Sequence, residues 1–91
     1  MISIKFKELK SFISRFDRLS ICTHGTGDYE NFMRIGDVPD AYDEYYIYGI
    51  GMINSEFYKV SKYEYSTNYE DGPLALLPCM EIVLSKSPRA E

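Results

Sequence analysis

The first pattern along the chain is a helical stripe of apolar residues. Its members are Phe6, Leu9, Phe12, Ile13 and Phe16, with lysine, glutamate, serine and arginine filling the positions between them. Apolar residues three or four positions apart share one face of an α-helix. The spacing therefore predicts a helix over residues 6–16. The side chains that this helix is predicted to bury are Leu9, Phe12, Ile13 and Phe16.

Alternating apolar and polar residues replace the helical spacing farther along, and this alternation predicts strands. The predicted strands are Arg18–Thr23, Tyr29–Ile35, Glu44–Ser55 and Met80–Leu84, with an edge strand or a long loop over Phe57–Tyr69. Residues 24–28 hold two glycines and an aspartate, which suit the positive φ of a tight turn. Residues 36–40 contain a proline and predict a loop or one helical turn, because proline cannot donate to a sheet ladder.

The strand over Glu44–Ser55 is apolar on both faces. Tyr45, Ile47 and Ile53 fall on one face, and Tyr46, Tyr48, Ile50 and Met52 fall on the other. Apolar residues on both faces are typical of a central strand that is covered on both sides, or of a strand covered by the helix on one side and by a partner on the other. Gly49 and Gly51 share a face with Ile47. Glycine inside a strand often marks the close approach of another backbone, here that of the predicted helix.

The order of these elements, a helix followed by strands and turns, indicates an α+β domain. The sequence predicts one N-terminal helix packed on an antiparallel sheet of four or five strands. In the last strand, Met80, Ile82 and Leu84 are predicted to point inward. Ninety-one residues correspond to a single domain, 1–91, and the apolar fraction of 45% is ordinary for a globular protein. Residues 87–91 are predicted to be a frayed tail.

Tyrosine and acidic residues are concentrated in the middle of the chain. All nine tyrosines lie between Tyr29 and Tyr69, and residues 28–44 carry six acidic residues against the single Arg34. Residues 1–18 are basic, and the net charge is −4. A negative patch attracts basic surfaces and repels phosphates, which disfavours direct binding of nucleic acid. Tyrosine has a large apolar ring with a polar tip and is typical of recognition surfaces, but a half-buried sheet with tyrosines on its outer face would give the same pattern.

The compartment that the sequence favours is the cytoplasm. Residues 1–6 lead into a charged segment without the apolar stretch of a signal peptide. The longest nearly unbroken apolar stretch, residues 45–53, is too short to cross a bilayer, so no membrane partner is predicted. Cys22 and Cys79 do not form a disulfide framework, and both are predicted to be free thiols.

One cluster has the residue types of catalysis or zinc binding. Cys22 and His24 are two positions apart on one predicted strand face, with Asp28 in the following turn. A cysteine nucleophile needs a neighbouring base, but the sequence identifies neither oxyanion donors nor a third group. A closed zinc site needs four ligands and would require Cys79 from across the sheet. We therefore interpret the cluster as a half-buried cysteine beside a turn histidine and predict no enzyme, no catalytic residue and no metal site.

Two other motifs suggest ligands without matching a known site. Asp37, Asp40, Asp43 and Glu44 group the carboxylates that calcium prefers, but their spacing departs from that of an EF-hand loop. A solvated acidic loop is the simpler interpretation, and calcium binding stays open. Residues 24–27, His-Gly-Thr-Gly, resemble part of a phosphate loop but lack its lysine and its full glycine spacing. No cofactor is predicted.

The opening of the chain resembles that of many short bacterial proteins encoded by phages, plasmids and conjugative elements. Residues 7–17, Lys-Glu-Leu-Lys-Ser-Phe-Ile-Ser-Arg-Phe-Asp, are followed by Leu-Ser-Ile at 19–21, which gives an amphipathic helix, a short polar break and a strand. The resemblance is confined to this opening and carries no catalytic motif. It implies a small accessory protein of a mobile element. Several such proteins, including anti-CRISPR inhibitors, are compact, acidic and non-enzymatic.

The function that these observations favour is non-enzymatic binding of a protein partner. An acidic, tyrosine-rich surface would cover a basic patch on that partner, as an anti-CRISPR-like inhibitor does. The predicted partner-binding residues are Asp28, Tyr29, Glu30, Asp37, Asp40, Tyr42, Asp43, Glu44, Tyr45 and Tyr46. The alternative is a structural, self-assembling module that forms a homodimer through its tyrosine-rich strand. The sequence identifies neither the partner nor the oligomeric state.

Overall fold

A computed structural model describes residues 4–13 and 18–87, and it shows one short helix and one sheet of five strands. The elements are helix α1 (Phe6–Lys10) and strands β1 (Leu19–Thr23), β2 (Tyr29–Phe32), β3 (Tyr46–Lys59), β4 (Tyr65–Ser66) and β5 (Leu74–Ser85). Three single-turn 3-10 helices cover Ile35–Asp37, Asp40–Tyr42 and Tyr69–Asp71. The predicted α+β class with an N-terminal helix and five strands is confirmed. Apart from Ser87, the predicted frayed tail lies outside the described residues.

The sheet is mixed, because one of its strand pairs is parallel. The strand order is β2-β1-β5-β3-β4, and β5 pairs antiparallel with β3 but parallel with β1. The prediction of an antiparallel sheet was therefore wrong for this one pair. β5 lies at the centre of the sheet, but its apolar residues are not all covered, since Leu74 and Leu76 are 57% and 65% exposed. Ile82 and Leu84 are fully buried there, as predicted.

The turn between β1 and β2 has the predicted form. Gly25 and Gly27 adopt φ values of 96° and 76°, which glycine reaches without a steric penalty. The turn sets the antiparallel register in which Cys22 pairs with Tyr29 and Ser20 pairs with Asn31. β2 ends at Phe32, earlier than predicted, because the chain enters a 3-10 helix at Ile35. The predicted loop or helical turn over 36–40 is present as parts of two 3-10 helices.

The main core lies between α1, the 3-10 segment and one face of the sheet. Its buried residues are Phe6, Leu19, Ile21, Phe32, Ile35, Val38, Ile82 and Leu84. Leu9, Ile13, Tyr42, Tyr45, Ile47 and Met80 are partly buried and pack against it. The helix thus contributes Phe6 as its central anchor, a residue that belonged to the predicted stripe but not to its predicted buried set.

Helix α1 is shorter than the stripe predicted. It ends at Lys10, and the Phe12 side chain is 85% exposed instead of buried. The Ser11 hydroxyl donates a hydrogen bond to the carbonyl oxygen of Glu8 at 2.9 Å, a local bond that competes with helix continuation. Leu9 and Ile13 do pack on the core. Phe16, the last residue of the predicted stripe, lies outside the described residues.

Strand β3 lies at an edge over much of its length and not in the centre as predicted. β5 pairs with it from Tyr46 to Tyr58. Its other side is paired only near its ends, by Lys5 at Tyr46 and by β4 at Tyr58 and Lys59, within the residues that the structure describes. A Cβ atom on Gly49 or Gly51 would meet nothing within 4 Å. These glycines therefore do not mark contact with the helix.

The sheet coils so that the far half of β3 reaches β2. The Asn31 amide nitrogen donates a hydrogen bond to the carbonyl oxygen of Glu56 at 2.9 Å, and the Ser55 hydroxyl donates to the Asn31 side-chain oxygen at 3.1 Å. Ser20, Ser55, Phe57 and Cys79 form a second buried group away from the main core. Asn31 is thus a bridge between two strands that are not neighbours in the sheet, and hollows open beside this bridge.

Candidate functional site

Three of the six predicted acidic residues are paired with lysines of the same chain. The Lys10 ammonium donates to the carboxylate of Asp43 at 2.8 Å and to that of Asp40 at 3.3 Å. The Lys5 ammonium lies 2.8 Å from one carboxylate oxygen of Glu44, and the Lys7 ammonium lies 2.8 Å from the other. The basic N-terminal segment and the acidic loop, which the sequence presented as separate patches, therefore lie against each other.

These ion pairs shift the pKa values of the groups involved. The hydrogen bond from Lys5, followed by that from Lys7, lowers the pKa of Glu44 to about 2 from an ordinary value of 4.5. The hydrogen bond to Glu44 raises the pKa of Lys5, and the hydrogen bond to Asp43 raises that of Lys10. Because a carboxylate with a lowered pKa stabilises the fold only while it is ionised, the contribution of Glu44 is lost on acidification.

We expect a Glu44→Gln variant to lose stability in a pH-dependent way. The loss relative to the parent should be full above pH 4.5, should shrink as the pH falls, and should vanish below about pH 2, once Glu44 is also protonated in the folded protein. Urea unfolding of both proteins across this pH range measures the difference. A stability difference that does not change with pH would show that the ion pairs with Lys5 and Lys7 do not form in solution.

The predicted tyrosines divide between the core and the surface. Tyr42 and Tyr45 pack partly into the main core and contact each other edge to face, with ring centroids 5.4 Å apart. The Lys5 ammonium lies 5.7 Å from the ring centroid of Tyr46. Tyr29, in contrast, is 59% exposed on β2. Tyr42 and Tyr45 are thus already held within the fold, whereas the Tyr29 ring is accessible to a partner.

An acidic groove of about 310 Å³ lies between β2 and the far half of β3. It is lined by Tyr29, Glu30, Asn31, Glu56, Tyr58 and Thr67. No lysine or arginine lines it within the described ranges, and neither Glu30 nor Glu56 forms an ion pair with a described residue. The residues that line the acidic groove thus include two glutamates without an ion-pair partner among the described residues and two tyrosines.

A smaller pocket of about 120 Å³ adjoins the acidic groove on the other side of Tyr29. It is lined by Ile21, Thr23, Asp28, Tyr29, Glu30 and Tyr42. The structure thus brings together Asp28, Tyr29, Glu30 and Tyr42 of the predicted set. Asp40, Asp43 and Glu44 form the ion pairs with the N-terminal lysines instead, and Asp37 is exposed in a 3-10 helix.

The set of partner-binding residues predicted from the sequence did not include Glu56 and Tyr58. Both lie in β3, two positions apart, and so share one face of the strand. This alternation was visible in the sequence as an acid and a tyrosine beyond the predicted end of the strand. It was not assigned to a site because nothing in the local pattern indicates that the far half of β3 approaches β2.

Cys22, His24 and Asp28 lie in and around the hairpin that joins β1 to β2. The His24 ring stacks on Tyr48 with centroids 3.8 Å apart, and its backbone N–H donates to the carbonyl oxygen of Leu84 at 2.7 Å. Cys22 and Cys79 are free thiols, as predicted, and burial raises the pKa of Cys79. In the described part of the chain, no three histidine, cysteine, aspartate or glutamate side chains are grouped so as to hold a metal ion.

Comparison with known proteins gives no further guidance, since no family model, no curated protein and no solved structure matches the chain. Over residues 4–13 and 18–87, no helix is both long enough and apolar enough to span a membrane. Any statement about function therefore depends on the geometry of the acidic groove and the residues around it.

Proposed function

We propose that the protein is a non-enzymatic binding protein whose acidic groove holds a basic segment of a protein partner. The observation that carries the proposal is the pairing of Glu30 and Glu56 with Tyr29 and Tyr58 in one groove without a neutralising lysine or arginine among the described residues. Covering a basic surface in this way would inhibit a partner that uses that surface for nucleic acid. An anti-defence role of the kind implied by the resemblance to mobile-element proteins would be one instance.

The acidic residues fall into two groups, those paired with lysines of the same chain and those without such a partner among the described residues. Asp40, Asp43 and Glu44 are already paired with lysines of the same chain, so a partner would have to compete for them. Glu30 and Glu56 have no such competitor within the described residues. A cleft lined by one sign of charge also concentrates the field and raises the rate at which oppositely charged partners associate. Free carboxylates in a groove are therefore better placed to bind than paired ones on a loop.

The aromatic rings add a second attraction for the same ligand. A lysine or arginine cation over a tyrosine face gains about 0.5–1 kcal/mol at an exposed site. Tyr29 and Tyr58 supply two such faces beside the glutamates. Tyrosine also loses little conformational entropy on binding, because its side chain has only two rotatable torsions. A basic segment is thus the partner chemistry that satisfies both features of the acidic groove.

The first test is a titration with three synthetic peptides of equal length and without aromatic residues, one rich in lysine and arginine, one with glutamine at those positions and one with glutamate. We expect only the basic peptide to shift the NMR amide signals of residues 29–31 and 56–58 saturably. A Glu30→Gln/Tyr58→Ala variant removes one exposed ion pair and one cation–π contact, together worth about 1–2 kcal/mol. Its affinity should fall about tenfold.

The matched control is an Asp37→Asn/Tyr63→Ala variant. It removes one carboxylate and one tyrosine ring, as the groove variant does, but away from the acidic groove, and its Tyr63 ring is more exposed than that of Tyr58. Its affinity for the basic peptide should equal that of the parent. If the control loses as much affinity as the groove variant, the attraction is a general effect of net charge and the acidic groove is not the site.

The open edge of β3 favours a second candidate function, self-assembly. Residues 49–55 pair with β5 on one side, carry no charge and no proline, and have no strand on the other side within the described ranges. Monomeric proteins usually protect such an edge with charges, proline or a covering element. Pairing of two copies through this edge would create a homodimer. Because it buries uncharged residues, it should persist at high salt, whereas binding of a basic segment should weaken.

A further inference from the structure

A second cavity of about 310 Å³ lies on the other side of the Asn31 bridge, between β1, β5 and β3. Its walls include Ser20 and Cys22 of β1, Ser55 and Glu56 of β3, and Glu81 of β5. We call it the Ser20 cavity. It shares the lining residues Tyr29 and Glu56 with the acidic groove, so the two hollows are adjacent.

The Ser20 hydroxyl is the most unusual group in this cavity. Ser20 is 1% exposed, and its oxygen has no hydrogen-bond partner among the described residues. A buried hydroxyl without a partner is costly, and such groups are rare in folded proteins. Since Ser20 lines the cavity, a ligand in the cavity could give this hydroxyl the partner that the fold does not provide.

The charge of the cavity points to a cationic ligand. Glu56 and Glu81 line it, and no lysine or arginine does so in the part of the chain that the structure describes. Arg18 is the residue two positions before Ser20. Its guanidinium donates a hydrogen bond to the carbonyl oxygen of Pro78 at 3.2 Å and lies 6.0 Å from the centroid of the Phe57 ring. Arg18 is not among the residues that line the cavity.

The remaining lining residues match an apolar stem. Ile53 and Leu76 lie on the walls together with the Tyr29 ring. A ligand that fits both parts has a charged tip and an aliphatic chain, because long basic side chains bury their methylene groups along apolar surface and present the charge to acceptors. Guanidinium and ammonium groups donate several hydrogen bonds and accept none, which suits carboxylates and hydroxyl oxygens.

We propose that the Ser20 cavity binds one guanidinium or ammonium group on a short aliphatic stem. The cation donates hydrogen bonds to the Glu81 carboxylate and the Ser20 oxygen, while Ile53 and the Tyr29 ring, on the same face of the sheet, contact its stem. The source of the cation is either an arginine or lysine side chain of the partner or a free alkyl cation. The first source rests on the proposed function, since the cavity and the acidic groove share Tyr29 and Glu56.

The test uses butylguanidinium and butylamine as cationic probes and butylurea as a neutral probe of similar shape. We expect the two cations, but not butylurea, to shift the NMR amide signals of residues 20–22 and 53–56 saturably. Glu81→Gln should weaken binding of butylguanidinium about tenfold, as expected for loss of a charged acceptor. Glu64→Gln, which changes an exposed glutamate outside the cavity, should leave binding unchanged.

Ser20→Ala provides a second variant, because it removes the unpartnered hydroxyl and leaves the charge unchanged. It should weaken butylguanidinium binding several-fold, and the dispersion of its NMR spectrum shows directly whether the fold is intact. Equal shifts with butylurea, or unchanged affinity in folded Glu81→Gln and Ser20→Ala proteins, would overturn the proposal. Absence of saturable shifts with both cations and with the basic peptide would overturn it as well.

The same titrations separate the two sources of the cation and the two proposals. Saturation by butylguanidinium alone supports a free alkyl cation, whereas shifts by the basic peptide at both residues 20–22 and 29–31 support a partner side chain. If the basic peptide binds in a manner that depends on Glu30 and Tyr58 while residues 20–22 do not respond to any cation, the acidic groove is functional and the cavity proposal fails. Binding of butylguanidinium in the Ser20 cavity without binding of the basic peptide would support the cavity proposal with a free alkyl cation and would contradict the proposed function.

Discussion

Replacing Phe6 by alanine is expected to destabilise the domain by about 3–5 kcal/mol, the usual cost of truncating a buried phenylalanine. Phe6 is 0% exposed and belongs to the main core beside Leu19, Ile82 and Leu84. Its loss leaves a cavity where the helix meets the sheet. Because small domains are stable by only about 5–15 kcal/mol, this change removes a large part of the total free energy of unfolding.

Phe12→Ala is the matched control for this experiment. The substitution has the same chemistry, but Phe12 is 85% exposed, so its free energy of unfolding should stay within about 0.5 kcal/mol of the parent. Urea unfolding of both variants at one pH measures the contrast. If Phe12→Ala were as damaging as Phe6→Ala, the longer helix predicted from the apolar stripe would be correct and the short α1 helix wrong.

The second large effect is expected at Gly72, where β5 begins opposite the end of β3. A Cβ atom at this position would collide with the backbone carbonyl oxygen of Lys59 and lie 2.8 Å from its carbonyl carbon. The neighbouring Lys59 N–H donates to the Pro73 carbonyl oxygen at 2.9 Å, so neither backbone segment can move without losing this bond. We expect Gly72→Ala to cost at least the roughly 1–3 kcal/mol typical of overpacking.

Gly51→Ala is the corresponding control, and it should act in the opposite direction. A Cβ atom there would meet nothing within 4 Å, and the residue lies inside β3 with an ordinary φ. Replacing an unstrained strand glycine by alanine stabilises proteins by about 0.4–1 kcal/mol, chiefly by restricting the unfolded chain. Thermal unfolding of the two variants should therefore move the midpoint in opposite directions. A loss of stability in Gly51→Ala would contradict the open surroundings of this glycine.

The features that the sequence predicted well are those encoded by neighbouring residues. The turn before β2 follows from Gly25 and Gly27, and the buried face of β5 follows from the alternation of Ile82 and Leu84. The position of β5 between β1 and β3 could not be predicted, because it depends on pairing between residues far apart in the chain. The end of α1 was also missed, since the apolar stripe continues past the point at which the Ser11 hydroxyl bonds back to Glu8.

The candidate site was predicted in part for the same reason. Asp28, Tyr29 and Glu30 are adjacent in sequence, and they stay together at the start of β2, with Asp28 in the turn just before it. Glu56 and Tyr58 come from another strand, and only the coiling of the sheet brings them beside Tyr29. The neutralisation of Glu44 was also hidden from the sequence, because its lysine partners are more than thirty positions away. A local density of charge does not reveal which charges remain free after folding.

The parallel pairing of β1 with β5 has a consequence for the order in which the protein acquires its structure. β1 is synthesised early and β5 last, so Leu19 and Ile21 lack their sheet neighbours Met80 and Ile82 until almost all of the described chain has been made. Contacts between distant segments require closure of a large loop and slow folding. During synthesis, the hairpin of β1 and β2 therefore keeps its apolar face exposed until β5 has been made. At this stage the exposed face is a binding site for chaperones and a site of aggregation.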